Sequence, residues 1–179
     1  MALLTWPKNA LHLLPNLTIT LKRKGLSMLL DYRRIGIDAY RSLGQVHAYV
    51  VKALEPQLVA LVYLRVSQIN GCAYCIDLHW REALKAGVPA RKLNLVIAWA
   101  ESDAFDARER AAFSWAEALS RIADAHPSEE LYRTVLKQFG DQATVDLTYA
   151  IALMNAFNRL GVGFRQGPDL RAEVSDASA

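Results

Sequence analysis

Apolar residues recur at helical spacing along most of the chain, and the rhythm stops where proline, glycine or short polar clusters intervene. From Ile37 to about Lys52, the positions Tyr40, Leu43, Val46, His47 and Val50 share one side of an amphipathic helix. Pro56 suits the first turn of the next helix, which carries Leu58, Leu61, Val62, Leu64, Arg65 and Ile69. After Asn70-Gly71 a further helix is predicted through Trp80, Ala83 and Leu84 to Gly87, and Pro89 opens an apolar, buried successor reaching about Ala100. Asp106, with Glu109 three residues on, makes a capping-box start for a helix through Phe113, Ala116, Leu119, Ile122 and Ala123. Pro127, followed by Ser128-Glu129-Glu130, begins another that Gly140 ends. The last long helix starts near Asp141 and carries Val145, Leu147, Ile151, Leu153, Met154, Phe157 and Leu160. Its Asn155, Asn158 and Arg159 are polar positions in an apolar helix, which predicts buried hydrogen bonds or a subunit contact. No strand alternation, phosphate-cradling glycine loop or repeat interrupts this pattern. The fold class is therefore all-α, a compact multi-helix domain.

Length and composition narrow the picture. At 179 residues the chain has room for one domain with a full core. That domain is expected over 28–166, with 1–27 an N-terminal extension and 167–179 a flexible polar tail. Pro7 and Pro15 break up the leucines of the extension and no small-residue cleavage site follows, so no secretory signal is expected. No run of about 18 apolar residues suggests a membrane span. The net charge of +3 is unevenly spread: residues 1–34 hold Lys8, Lys22, Arg23, Lys24, Arg33 and Arg34 against Asp31, a local +5 that leaves −2 for the remainder. Without aromatics interleaved among those bases, no nucleic-acid partner is expected.

Chemistry concentrates in Ser67-Gln68-Ile69-Asn70-Gly71-Cys72-Ala73-Tyr74-Cys75-Ile76-Asp77-Leu78-His79, which contains both cysteines of the chain. At about 100° per residue, the spacing Cys-x-x-Cys-x-x-x-His puts Cys72, Cys75 and His79 within an arc of roughly 60°. The motif thus occupies the N-terminal end of a helix, with Asn70 as the expected cap. The positive helix end there favours thiolate, and favours it more at Cys72 than at Cys75. Two cysteines this close suit a redox or metal pair rather than an extracellular framework, and a dithiol implies the reducing cytoplasm. A zinc site would take Cys72, Cys75 and His79 with His47 or His126 as a fourth ligand, but no metal and no cofactor is expected. A redox-silent helical oligomer, its cysteines only filling space, is the alternative without chemistry.

The central string resembles the alkylhydroperoxidase D-like branch of the carboxymuconolactone decarboxylase superfamily. The likeness extends through Trp99 and Phe113-Ser114-Trp115-Ala116-Glu117-Ala118-Leu119 to Asn155-Ala156-Phe157-Asn158-Arg159-Leu160, so it covers about Met28 to Phe164. The resemblance implies a thiol peroxidase in which Cys75 is peroxidatic, Cys72 resolving and His79 part of a proton relay. It also implies an organic hydroperoxide substrate, a dithiol protein or small thiol as reductant, and a homotrimer or hexamer. The family pattern has a glutamate twelve residues before the first cysteine, where this chain has Ala60. Glu82, three residues after His79, is the nearest acid on the same face and the candidate to orient it. Disulfide exchange, or a small-molecule reaction of the lactone decarboxylase kind, is the alternative activity.

Overall fold

A computed structural model describes residues 28–168. The 1–27 extension, and the 167–179 tail beyond residue 168, lie outside the described residues. Among those described, the chain is helical throughout: α1 (Tyr32–Ile35), α2 (Ile37–Ala53), α3 (Pro56–Ile69), α4 (Ala73–Lys85), α5 (Ala90–Leu95), a 3₁₀ segment (Val96–Glu101), α6 (Ala107–Ser120) and α7 (Glu129–Gly163). None of these helices is long and apolar enough to cross a membrane.

Helix α3 is the axis of the packing, because every residue from Leu58 to Ser67 is buried and a helix apolar on all sides needs neighbours on all sides. One face joins α2, α6 and α7 in a cluster that includes Val50, Val62, Val66, Trp115, Leu147 and Ile151. The opposite face joins α4, α5 and the 3₁₀ segment through Ala60, Leu61, Leu64, Ala83, Leu93, Val96 and Phe113. A salt bridge ties these layers together: Arg65 donates to Glu117 at 2.6 Å, and Trp99 Nε1 donates to the same carboxylate oxygen at 2.7 Å.

The capping-box start of α6 is present in both directions, Asp106 receiving from the Glu109 amide and Glu109 from the Asp106 amide. Ser128 caps α7 as its hydroxyl accepts from the Leu131 amide. The break expected at Gly140 is a kink inside α7, with φ 70° and ψ 177°, a backbone that only glycine adopts without strain. One predicted helix is shorter than expected. The run from Pro89 to Ala100 is helical only to Leu95 and then tightens into the 3₁₀ segment, where Ala98 (φ −120°, ψ 32°) leaves helical geometry. Arg110 explains the change, since its guanidinium donates to the carbonyls of Trp99, Ala100 and Ser102 and so replaces continued helix hydrogen bonds. Nor is this run buried throughout, as Ile97 is 65% exposed. Helix α6 likewise stops at Ser120, short of Ile122 and Ala123.

The two ends of the described chain meet. The Leu29 amide donates to the Phe164 carbonyl at 2.9 Å, the Tyr32 and Phe164 rings stack at 5.2 Å, and the Tyr32 hydroxyl donates to Gln166 Oε1 at 2.5 Å.

Candidate active site

The turn between α3 and α4 sets the cysteines. Gly71, at φ 65°, takes the left-handed conformation that reverses the chain direction, a position where a side chain is strained. The cap of α4 is Cys72 itself, not Asn70: the Cys72 sulfur accepts from the Cys75 amide at 3.3 Å. Asn70 is engaged elsewhere, closing α3 and donating to Asn155 Oδ1 at 3.0 Å and Asn158 Oδ1 at 2.9 Å. Asn158 in turn donates to the Ser67 hydroxyl at 3.1 Å, so α7 grips the turn from both sides. Gln68 accepts from Arg65. Buried or half-buried hydrogen bonds are thus what Asn155 and Asn158 serve, as their pattern predicts, whereas Arg159 is exposed and donates to Asn155 one turn back on its own helix.

Cys72 and Cys75 are joined by a disulfide, and both are nearly inaccessible, at 1% and 4% exposed. Gly161 of α7 backs onto the pair. A Cβ at that position would stand 3.1 Å from the Cys72 sulfur and 3.6 Å from that of Cys75.

Cys75 opens onto a cavity of about 200 Å³ lined also by Tyr32, Tyr40, His47, Tyr74, His79, Glu82 and Phe157; Cys72 is not in its wall. His79 Nδ1 lies 2.7 Å from Glu82 Oε2. That hydrogen bond, ahead of the opposing effect of burial, holds the Glu82 carboxyl below its ordinary value. The sign follows: with a depressed pKa the Glu82 carboxylate is ionised at neutral pH, and its hydrogen bond to His79 is lost only as pH falls through the lowered value. With Nδ1 engaged, Nε2 is the His79 nitrogen left for proton exchange. The Tyr63 ring packs 5.1 Å from the His79 ring, and burial pushes its phenol well above the ordinary value.

Ala60 is buried in the apolar cluster with Leu61, Leu64 and Ala83 and does not line the cavity. The acid beside His79 comes instead from its own helix. His126 lies in the α6–α7 connection, in a different hollow beside Arg121 and Asp124, so it does not join the cysteines. Among the described residues no group of three or more His, Cys, Asp or Glu side chains is arranged to hold a metal ion. Gly161, Tyr63 and the aromatic wall were not singled out from the sequence. A tyrosine inside the aliphatic run from Leu58 to Leu64 is the signal that could have marked Tyr63.

Residues 38–118, from α2 to the end of α6, match the model of the carboxymuconolactone decarboxylase family. The uncharacterized protein YdfG of Bacillus subtilis (strain 168) is 35% identical over 138 residues, 76% of this chain and 94% of that one. The chain belongs to the carboxymuconolactone decarboxylase family. Another relative, the uncharacterized protein YnjA of Escherichia coli (strain K12), is 29% identical over 120 residues, 67% of this chain and 63% of that one. Among solved structures, ATU0492 from Agrobacterium tumefaciens, a protein of unknown function described as a candidate antioxidant defence protein AhpD, superposes with a TM-score of 0.78. It is 32% identical, over 80% of this chain and 99% of that one. The debrominase Bmp8 shares the fold of this carboxymuconolactone decarboxylase family member, with a TM-score of 0.69 at 19% identity over 79% of this chain and 76% of that one.

Proposed function

We propose that the protein is a thiol-dependent peroxidase that reduces organic hydroperoxides through a Cys72/Cys75 dithiol–disulfide cycle. The observation that carries this reading is that Cys75, His79 and Glu82 share one cavity from which Cys72 is excluded. In the reduced protein His79 takes the Cys75 proton, and Glu82 faces the imidazolium that results. The thiolate sulfur bonds to the distal oxygen of the hydroperoxide as the O–O bond breaks, and the alkoxide takes the proton from His79 to leave as alcohol. The Cys72 thiol then attacks the Cys75 sulfenic acid, releasing water and forming the disulfide. The Cys72 sulfur already accepts the Cys75 amide, which stabilises it as the leaving thiolate when a dithiol reductant attacks Cys75. The mostly apolar, aromatic wall suits an organic rather than a purely aqueous substrate. We further place this activity in the cytoplasm, with a dithiol protein or small thiol as reductant, and the chain in a homotrimer or hexamer.

The test is the rate at which reduced protein at neutral pH loses its two thiols on mixing with tert-butyl hydroperoxide, the product mapped by mass spectrometry. We expect a Cys72–Cys75 disulfide at least about a hundredfold faster than a free thiol reacts, the range that positioned acid–base catalysis supplies. A Cys75→Ser variant that still forms sulfenic acid while Cys72→Ser does not would reverse the assignment of the two cysteines. A rate equal to that of free cysteine would leave disulfide exchange or a non-redox reaction as the function.

A further inference from the structure

A second imidazole faces the same cavity. His47 comes from α2, far from the motif in sequence, yet it lines the wall with Cys75 and His79. Its Nδ1 lies 3.4 Å from the Tyr63 hydroxyl. The Tyr63 ring sits between the two histidines, its centroid 5.8 Å from that of His47 and 5.1 Å from that of His79. Tyr63 is 1% exposed, so this spacer is fixed by the core and holds the imidazoles apart at one setting. Among the described residues the buried Tyr63 hydroxyl has no acceptor other than this Nδ1, so the hydroxyl donates and Nδ1 accepts. That choice puts the His47 proton on Nε2. Burial, reinforced by His79 and opposed by Glu82, also lowers the affinity of His47 for a second proton. His47 is thus a neutral N–H donor in the wall of the cavity that Cys75 also lines.

The peroxide step calls for a donor of this kind. As Cys75 sulfur bonds to the distal oxygen, the electron pair of the O–O bond collects on the oxygen attached to carbon. His79 returns the proton, but the oxygen must first be held in line with the sulfur and its charge met as it forms. The Tyr32 hydroxyl is committed to Gln166. We propose that His47 is a catalytic residue whose Nε2–H donates a hydrogen bond to the carbon-bearing oxygen of the hydroperoxide, aligning the O–O bond with Cys75 and stabilising the departing alkoxide. No electron or proton is added by this contact; the proton still travels from Cys75 through His79 to the alkoxide. The inference rests on the peroxidase reading.

The experiment compares full-length wild type, His47→Leu and His47→Gln, each reduced, in single turnover with tert-butyl hydroperoxide. Each is also mixed with an aromatic disulfide, 5,5′-dithiobis(2-nitrobenzoate), which reads thiolate reactivity without an oxygen leaving group. We expect His47→Leu to react with the peroxide on the order of a hundredfold slower, the usual effect of removing one preorganised donor. His47→Gln, which keeps an N–H donor, should recover about tenfold of that loss, and the disulfide reaction should be unchanged in both. Melting curves establish folding, and His47→Asn, a donor too short to reach, replaces the leucine variant if that one does not fold. A peroxide rate in His47→Leu equal to wild type overturns the proposal, as does an equal loss in both variants or a parallel loss toward the aromatic disulfide. A wild type no faster than free cysteine removes the peroxidase reading itself, before any variant is compared.

Discussion

At the scale of single residues, Gly161 decides how much room the two sulfurs have. It lies against both of them, and a Cβ there would be closer to Cys72 than ordinary packing allows. Two thiols need van der Waals separation where a disulfide needs only a bond, so a methyl group in this space costs the reduced form more than the oxidised one. Gly161→Ala should therefore shift the equilibrium with dithiothreitol toward the disulfide by about tenfold, equivalent to about 1.4 kcal/mol. Alkylation of free thiols across a dithiothreitol series measures it, and an unchanged or opposite shift would sink the idea. The same contact explains why α7 can approach the motif at all, since glycine leaves the space that Cys72 and Cys75 fill.

At the scale of elements, the join between α7 and the α3–α4 turn is polar and closed. Asn158 is 1% exposed and serves Ser67 and Asn70 at once, so removing its amide leaves the buried Ser67 hydroxyl without a partner and takes one of two acceptors from the half-buried Asn70 amide. Asn158→Ala is expected to lower unfolding stability by about 3 kcal/mol, read as a lower urea midpoint with the slope kept. A loss below about 0.5 kcal/mol, the level of an ordinary surface change, would mean the turn is held by its own geometry. Much of this scale was legible in the sequence. The spacing of Leu58, Leu61, Val62 and Leu64, the Asp106/Glu109 box and the Gly140 break each mark elements that the structure contains, because periodicity and capping are local properties. What failed was decided by tertiary contacts. Asn70 reads as a cap until α7 supplies Asn155 and Asn158, and the helix after Pro89 reads as continuous until Arg110 of α6 reaches back to its carbonyls. The cysteine–histidine register is a local property too, whereas the meeting of His47 with that motif depends on how α2 packs on α3.

At the scale of the whole molecule, α7 presents more apolar surface than one copy of the chain covers. Tyr132, Val145 and Tyr149 are each 46% or more exposed, beside a hollow floored by Trp115 and Ala152, and Ile122 adds to the same side through Leu119 and Ala156. Patches of this kind mark contacts between proteins. With the proposed trimer or hexamer, sedimentation equilibrium should return three or six times the chain mass. A Tyr149→Glu variant, which puts a charge in the middle of that patch, should return a smaller assembly or the single chain at the same concentration. A wild type that sediments as a monomer, or a variant with unchanged mass, would locate the assembly surface elsewhere or remove it.

The stack of Tyr32 on Phe164 reaches beyond its role in closing the bundle. Tyr32 and Gln166 are also part of the cavity wall, so the chain enters and leaves its helical body over the rim of the chamber that holds Cys75. Anything attached near Leu29 or Gln166, whether a carrier, a label or a second protein, is held near that doorway, and its local concentration there is set by that attachment rather than by dilution.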